Sequence, residues 1–179
     1  MKAKDMVRNA YRAILQNDFE QAIHWFESAI AAEPGQAEHY YRCSVTCSRS
    51  RRLGLAVEYA LKAVELAPQR DDYLLHLHHL QARQLAETAR RQLEPGSPES
   101  EESPYEAVRL LQKAIELDPL NGEAYVWLAL AYAELEQYVL AVETLEEAIT
   151  LHPQQEPLQL LKQDLYKRMA SVSNKPSIQ

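Results

Sequence analysis

Four prolines follow a 34-residue period that is interrupted once by 17 extra residues, and this period constrains the fold more than any other feature of the sequence. Pro34 and Pro68 are 34 residues apart, as are Pro119 and Pro153, while Pro68 and Pro119 are separated by 34 residues and a further 17. Each proline follows an alanine twelve residues earlier and another five residues earlier. These eight alanines are Ala22, Ala29, Ala56, Ala63, Ala107, Ala114, Ala141 and Ala148. Such a period indicates stacked structural units, one of which carries an insertion.

Each unit is predicted to be a pair of antiparallel helices. Between the alanines lie bulky apolar residues at the spacing of one helical face, such as Ile23, Phe26 and Ile30. Alanine allows two helices to cross closely, because a methyl group is all that the crossing accommodates. Proline ends each second helix, since it lacks a backbone donor and clashes with the preceding turn. The pattern therefore predicts an all-α fold.

The repeats resemble the tetratricopeptide repeat, and the last one carries the resemblance best. Its eight signature positions hold Tyr125, Leu128, Ala129, Tyr132, Ala141, Leu145, Ala148 and Pro153, with Ala129 in place of the usual glycine. The resemblance implies a right-handed α-solenoid of four helical hairpins followed by a C-terminal capping helix. It also implies a bacterial-type adaptor protein without enzymatic activity.

The predicted tetratricopeptide domain covers residues 3–155. Its repeats are 3–36, 37–70, 71–121 and 122–155, and the third contains the 17-residue insertion with an acidic loop at 94–103. Residues 156–170 are predicted to form an amphipathic capping helix, because stacked repeats leave an apolar end that needs a cover. Residues 171–179 are predicted to be a disordered tail.

Composition narrows the classes of partner and compartment. The 26 acidic and 19 basic residues give a net charge of −7, which disfavours nonspecific nucleic-acid binding. No apolar stretch has the length of a signal-peptide core or of a membrane span. Two cysteines are too few for a disulfide framework, which favours a reducing compartment. We therefore expect a cytoplasmic protein that binds neither nucleic acid nor membrane.

Candidate chemistry in the sequence is sparse. Cys43 and Cys47 lie one helical turn apart, and so do His76 and His79, but neither pair has the further ligands that a metal site needs. The chain also lacks a glycine-rich phosphate loop, a nucleophile elbow and a zinc-protease helix signature. We predict no catalytic residue, no metal and no cofactor.

A binding surface is implied by the resemblance, because the first helices of tetratricopeptide hairpins line a concave groove that accepts a peptide or helix. Ten residues at the family's groove-lining positions are the candidate contact residues in this chain. They are Tyr11, Tyr41, Arg42, Val45, Arg49, His76, His79, Arg83, Trp127 and Leu130. Aromatic residues and arginine dominate binding energy at protein interfaces, and arginine recognises carboxylates. The basic residues among the ten predict a preference for an acidic or C-terminal segment.

The sequence leaves three kinds of function open. The first is a scaffold or adaptor that binds a peptide or helix of a partner protein, with the chain itself a monomer or weak dimer. The alternative is a dedicated chaperone that covers an aggregation-prone segment of one client. The third, a metal- or RNA-dependent enzyme subunit, would require bound metal or nucleic acid in the purified protein.

Overall fold

The structure, a computed structural model, describes residues 1–94 and 104–173. Those residues form nine α-helices and no strand. The helices are α1 (Ala3–Leu15), α2 (Phe19–Ala32), α3 (Ala37–Arg49), α4 (Leu53–Leu66), α5 (Asp71–Leu93), α6 (Pro104–Leu117), α7 (Gly122–Glu134), α8 (Tyr138–Leu151) and α9 (Glu156–Ser173). The predicted all-α class is confirmed. In the ranges the structure covers, no helix is both long enough and apolar enough to span a bilayer.

The chain divides into two compact units, whereas the sequence predicts one repeat domain. The first unit is Met1–Gln81 and the second is Ala82–Gln179, so the boundary falls inside α5. This helix has 23 residues, against 13 in each of α1, α3 and α7, because the insertion begins by prolonging it. Most of the predicted acidic loop, 95–103, and the last part of the predicted tail, 174–179, lie outside the described residues. Helix α9 continues three residues past the predicted end of the capping helix.

Buried alanines mark the helix crossings in both units. All eight alanines of the 34-residue pattern have 0% of their surface exposed. In the first unit, α1 packs on α2 and α3 on α4, around a core that includes Phe26 and Leu80. In the second unit, α7 packs on α8, and the alanines of α5 and α6 share a core with Leu111 and Leu128. The alanines at fixed offsets are therefore buried between packed helices, as the 34-residue pattern predicts.

Three of the tight turns between paired helices share one backbone design. Asn17, Arg51 and Glu136 adopt left-handed conformations with φ of 60°, 63° and 58°. In each turn the next residue donates its backbone N–H to a carbonyl five residues back, at 2.9 Å, as Asp18 does to Ala13. This is the Schellman arrangement that caps a helix C-terminus. The left-handed residue lets the second helix start at once and fold back on the first.

Candidate protein-interaction surface

A row of aromatic and charged side chains crosses α1, α3 and the first part of α5 in the first unit. We call it the aromatic network, and it consists of Tyr11, Glu38, Tyr41, Arg42, Tyr73 and His76. The ring of Tyr11 meets Phe26 edge-on at 5.9 Å, and the Arg42 guanidinium lies over the Tyr11 ring at 5.3 Å. These contacts connect α1 to α3 through an arginine and a tyrosine that is 44% exposed.

Glu38 connects α3 to α5. Its carboxylate accepts a hydrogen bond from Arg42 Nε at 2.7 Å and another from the Tyr73 hydroxyl at 2.5 Å. Partial burial raises the pKa of Glu38, but these two hydrogen bonds and the positive charges of Arg42 and Arg70 outweigh it, so the pKa lies below its usual value. Glu38 is therefore ionised at neutral pH and holds Arg42 in position. Among the described residues the Arg42 side chain donates its hydrogen bond through Nε, and no hydrogen bond from its terminal nitrogens is present there.

Tyr41, Tyr73 and His76 form the other half of the network. Tyr41 stacks on Tyr73 with ring centroids 4.5 Å apart, and it meets the His76 ring edge-on at 5.2 Å. Tyr73 is also covered by the guanidinium of Arg70 at 4.4 Å. Such stacking restricts the side chains to one arrangement before any ligand arrives.

His76 reaches into the helix interface below the surface. Its Nε2 is 2.9 Å from Ser44 Oγ, and the Ser44 hydroxyl donates to the carbonyl of Ala56 at 2.7 Å. Since the hydroxyl proton goes to Ala56, the His76 ring donates to Ser44. Burial, followed by repulsion from His79, lowers the pKa of His76, so the ring is neutral at pH 7. His76 is therefore not a permanent cation for an acidic ligand.

The ten residues predicted to contact a partner are divided between the two units. Seven belong to the first unit, namely Tyr11, Tyr41, Arg42, Val45, Arg49, His76 and His79. Arg83, Trp127 and Leu130 belong to the second, where Trp127 is half-buried against the core. Four of the first seven enter the aromatic network. Arg49 lies two turns beyond Arg42 on α3 and places its guanidinium over Phe19 at 5.2 Å.

Three residues of this surface are absent from the predicted contact set. Glu38 was recognisable, because a glutamate four residues before an arginine on one helix is a common ion pair. Tyr73 and Ser44 were not, since their partners belong to other helices and depend on how α3, α4 and α5 pack. Leu15 and Leu75 add exposed apolar surface on the first helices, with 85% and 69% of their surface accessible.

Whether the described side chains could hold a metal ion depends on which of them lie together. Within residues 1–94 and 104–173, no three histidine, cysteine or acidic side chains come together as a possible metal site. Cys43 and Cys47 are free thiols that are completely buried in the first core.

Paired helices with alanine at their crossings, left-handed turns and a 34-residue period define a helical-repeat protein that presents side chains for binding. A family model described as the tetratricopeptide repeat matches residues 7–71 and 103–156, which is more than half of the chain. The chain therefore belongs to the tetratricopeptide-repeat family. No curated protein matches it in sequence.

Solved structures show the same fold at low sequence identity. MamA from Desulfovibrio magneticus RS-1 is 17% identical with a TM-score of 0.56, and the match covers 96% of this chain and 89% of that one. A tetratricopeptide repeat protein from Parabacteroides merdae ATCC 43184 is 16% identical with a TM-score of 0.54, covering 96% of this chain and 61% of that one. A second MamA structure is 18% identical with a TM-score of 0.51, and the match covers 94% of this chain and 88% of that one. At these identities the likeness concerns the fold alone.

Proposed function

We propose that this protein is a non-enzymatic interaction scaffold whose first unit binds an acidic, partly apolar segment of a partner protein. The observation that carries the proposal is the position of Arg42. Its Nε is fixed by Glu38 and its guanidinium plane by Tyr11, while its terminal nitrogens remain for a ligand carboxylate. A guanidinium held in place loses less freedom on binding than a mobile one.

The first helices of this unit supply both the charged and the apolar contacts that such a segment needs. Arg49 adds an exposed cation on the same face of α3 as the partly buried Arg42. Tyr11, Leu15 and Leu75 provide exposed apolar surface on the first helices. Glu38 partly neutralises the charge of Arg42, so attraction by charge alone is reduced. The surface therefore favours a segment whose carboxylates reach Arg42 and Arg49 and which also carries an apolar residue. A polyanion without apolar residues would bind less tightly.

A direct test uses a fluorescent ten-residue peptide of aspartate, glutamate and leucine with a free C-terminal carboxylate. Its binding is measured by anisotropy and compared with a counterpart in which asparagine and glutamine replace the acids. We expect Arg42→Met to raise Kd about tenfold or more, since hydrogen bonds to charged groups contribute about 1.5–3 kcal/mol. Methionine keeps an apolar stem over Tyr11 and removes only the charge and the donors.

The matched control is Arg109→Met in the second unit. Arg109 is an exposed arginine that is paired with Glu106 at 2.7 Å, so this variant removes the same charge from a different surface. Its Kd should stay within about twofold of the parent, as expected for a screened surface pair. Equal peptide affinity of Arg42→Met and the parent protein would overturn the proposed site.

The chaperone alternative is separated from the scaffold by the state of the partner. A scaffold binds a partner that is folded and soluble alone, whereas a dedicated chaperone copurifies in near one-to-one ratio with a client that precipitates without it. Coexpression followed by removal of the tetratricopeptide protein distinguishes the two, because only a client would then aggregate.

A further inference from the structure

The second unit contains a groove among α6, α7 and α8 that the proposed peptide surface does not use. Its volume is about 620 Å³, which is in the range of small-ligand sites. Ile115, Tyr125 and Leu128 line it with apolar surface, and Glu116, Glu143 and Glu147 line it with carboxylates. We call this the acidic groove.

The three carboxylates of the acidic groove lack an ion-pair partner among the described residues. Over the range that the structure covers, none of them forms an ion pair, although the neighbouring Glu146 pairs with Lys162 at 2.7 Å. Nearby negative charge also affects Tyr125. Burial, and then the negative charges of Glu147 and Asp118, raise the pKa of its hydroxyl. A groove with an apolar lining and unneutralised carboxylates favours a ligand that brings cations together with apolar groups.

The first unit shows what the same place looks like when it is filled. Counted back from the repeat prolines, Tyr59 of α4 corresponds to Thr144 of α8, and Tyr40 corresponds to Tyr125. The Tyr59 hydroxyl donates to Glu27 of α2 at 2.9 Å, and its ring lies 6.3 Å from the ring of Tyr40. The Tyr59 side chain thus bridges α4 and α2 over the position that is open beside Thr144.

Charge also differs between the two places, most clearly at the position of Glu147. Glu147 of the acidic groove corresponds to Lys62 in the first unit, where the lysine Nζ pairs with Glu65 at 2.8 Å. At the position of Gln112 the difference runs the other way, since its equivalent is Glu27, but the Glu27 carboxylate is occupied by the hydrogen bond from Tyr59. One repeat therefore fills this position with its own tyrosine, whereas the other leaves it open and acidic.

We infer that the acidic groove is a second docking site, which takes a lysine- or arginine-containing segment of a partner protein with an apolar residue beside the basic one. The aliphatic stem of such a side chain packs along Ile115 and Leu128, and its cation reaches the three glutamates and the face of Tyr125. The site is separate from the aromatic network and takes the opposite charge.

The experiment uses an amidated, fluorescent ten-residue peptide of lysine and leucine on the full chain. Two counterparts isolate the contributions: one replaces leucine with serine, and the other replaces lysine with glutamine. We expect the lysine–leucine peptide to bind most tightly, with an affinity that falls as salt is raised, and each counterpart to bind at least about fivefold more weakly. Equal binding of the serine counterpart would overturn the role of the apolar lining.

Grafting residues from the first unit tests the site itself. Thr144→Tyr introduces the tyrosine that fills the equivalent place in the first unit, Tyr59, without changing the net charge. Glu147→Lys replaces one negative charge of the groove with the positive charge that Lys62 carries in the first unit. Each is expected to raise the Kd of the lysine–leucine peptide about tenfold. Glu134→Lys makes the same change in net charge as Glu147→Lys at an exposed position nine residues beyond Tyr125 on α7, and should leave Kd within about twofold.

Several outcomes would overturn the inference. Unchanged binding by Thr144→Tyr would place the peptide elsewhere, and equal losses in Glu134→Lys and Glu147→Lys would reduce the effect to overall charge. Glu147→Gln is the milder variant if the lysine substitution impairs folding, which circular dichroism reports. Arg42→Met should leave this binding unchanged, so failure of the acidic-peptide proposal and failure of this one are distinguishable.

Discussion

The two units share one repeat design but differ in charge and in how their second helices pack. Residues 1–81 contain ten basic and ten acidic residues, whereas 82–179 contain nine and sixteen, so the entire net charge belongs to the second unit. In the first unit the Tyr59 side chain and its hydrogen bond to Glu27 fill the surface between α4 and α2. In the second, Thr144 and Glu147 leave the equivalent place open. Repeats that keep the same buried alanines can therefore diverge freely at positions that do not set the helix crossing.

The largest expected effect comes from emptying equivalent core positions in the two units. Phe26 and Leu145 each lie eight residues before their repeat proline, and both are completely buried. Phe26→Ala should cost about 3–5 kcal/mol and Leu145→Ala about 2–5 kcal/mol of unfolding free energy, because each leaves a cavity. Hydrogen exchange read by mass spectrometry should show protection lost mainly in the unit that carries the substitution. Equal loss in both units would show that they unfold as one, and the comparison would fail.

An intermediate effect is expected from the hydrogen bond between Tyr73 and Glu38. Tyr73→Phe should destabilise the first unit by about 1–2 kcal/mol at pH 7, because Glu38 loses a donor. The folded-state pKa of Glu38 is lowered, so its contribution is present above the unfolded pKa and is lost as pH falls through the folded one. The difference between parent and variant should therefore shrink on acidification, as measured by urea unfolding at pH 7 and pH 3.

Tyr125→Phe provides the matched control in the second unit. Among the described residues Tyr125 donates no side-chain hydrogen bond to a carboxylate, and only burial and nearby negative charge affect its pKa. The loss of unfolding free energy in Tyr125→Phe should not depend on pH between 3 and 7. If both variants show the same pH dependence, Glu38 is not the group responsible.

The smallest expected effect is a gain in stability at the left-handed turn positions. Arg51→Gly and Glu136→Gly should each stabilise by about 0.5–1 kcal/mol, because glycine adopts positive φ without the strain of a side chain. Asn17→Gly should change less, since asparagine tolerates this conformation. Thermal unfolding of the three variants would check the order. A gain in one unit and a loss in the other would show that the shared turn geometry does not have the same energetic role in both.

The helical architecture was readable from the sequence because few residues determine it. Alanine at a crossing and proline after a helix act through local sterics, and the period repeats them four times. The length of α5 was also recognisable, since no proline or glycine interrupts residues 71–93. The division into two units was not, because it depends on which core each half of α5 joins.

The candidate surfaces were readable only in part. Register gave Tyr11 and Arg42 as predicted contacts, but the stacking of Tyr41 on Tyr73 depends on the packing of two helices that are distant in sequence. The acidic groove escaped prediction for a similar reason. Thr144 indicates an open groove only by comparison with its equivalent, Tyr59, whose side chain spans two helices in the structure.

The two buried thiols allow opening of the first unit to be measured with its natural side chains. Both cysteines of the chain lie there, at positions 43 and 47, and the second unit contains none. Both side chains are completely buried, so neither thiol is accessible to a reagent while the core is closed. The rate at which a maleimide labels the chain thus measures how often the first unit opens, without an engineered cysteine and without a signal from the second unit. Occupancy of the first unit by a peptide should slow that labelling, while a ligand confined to the second unit should leave it unchanged.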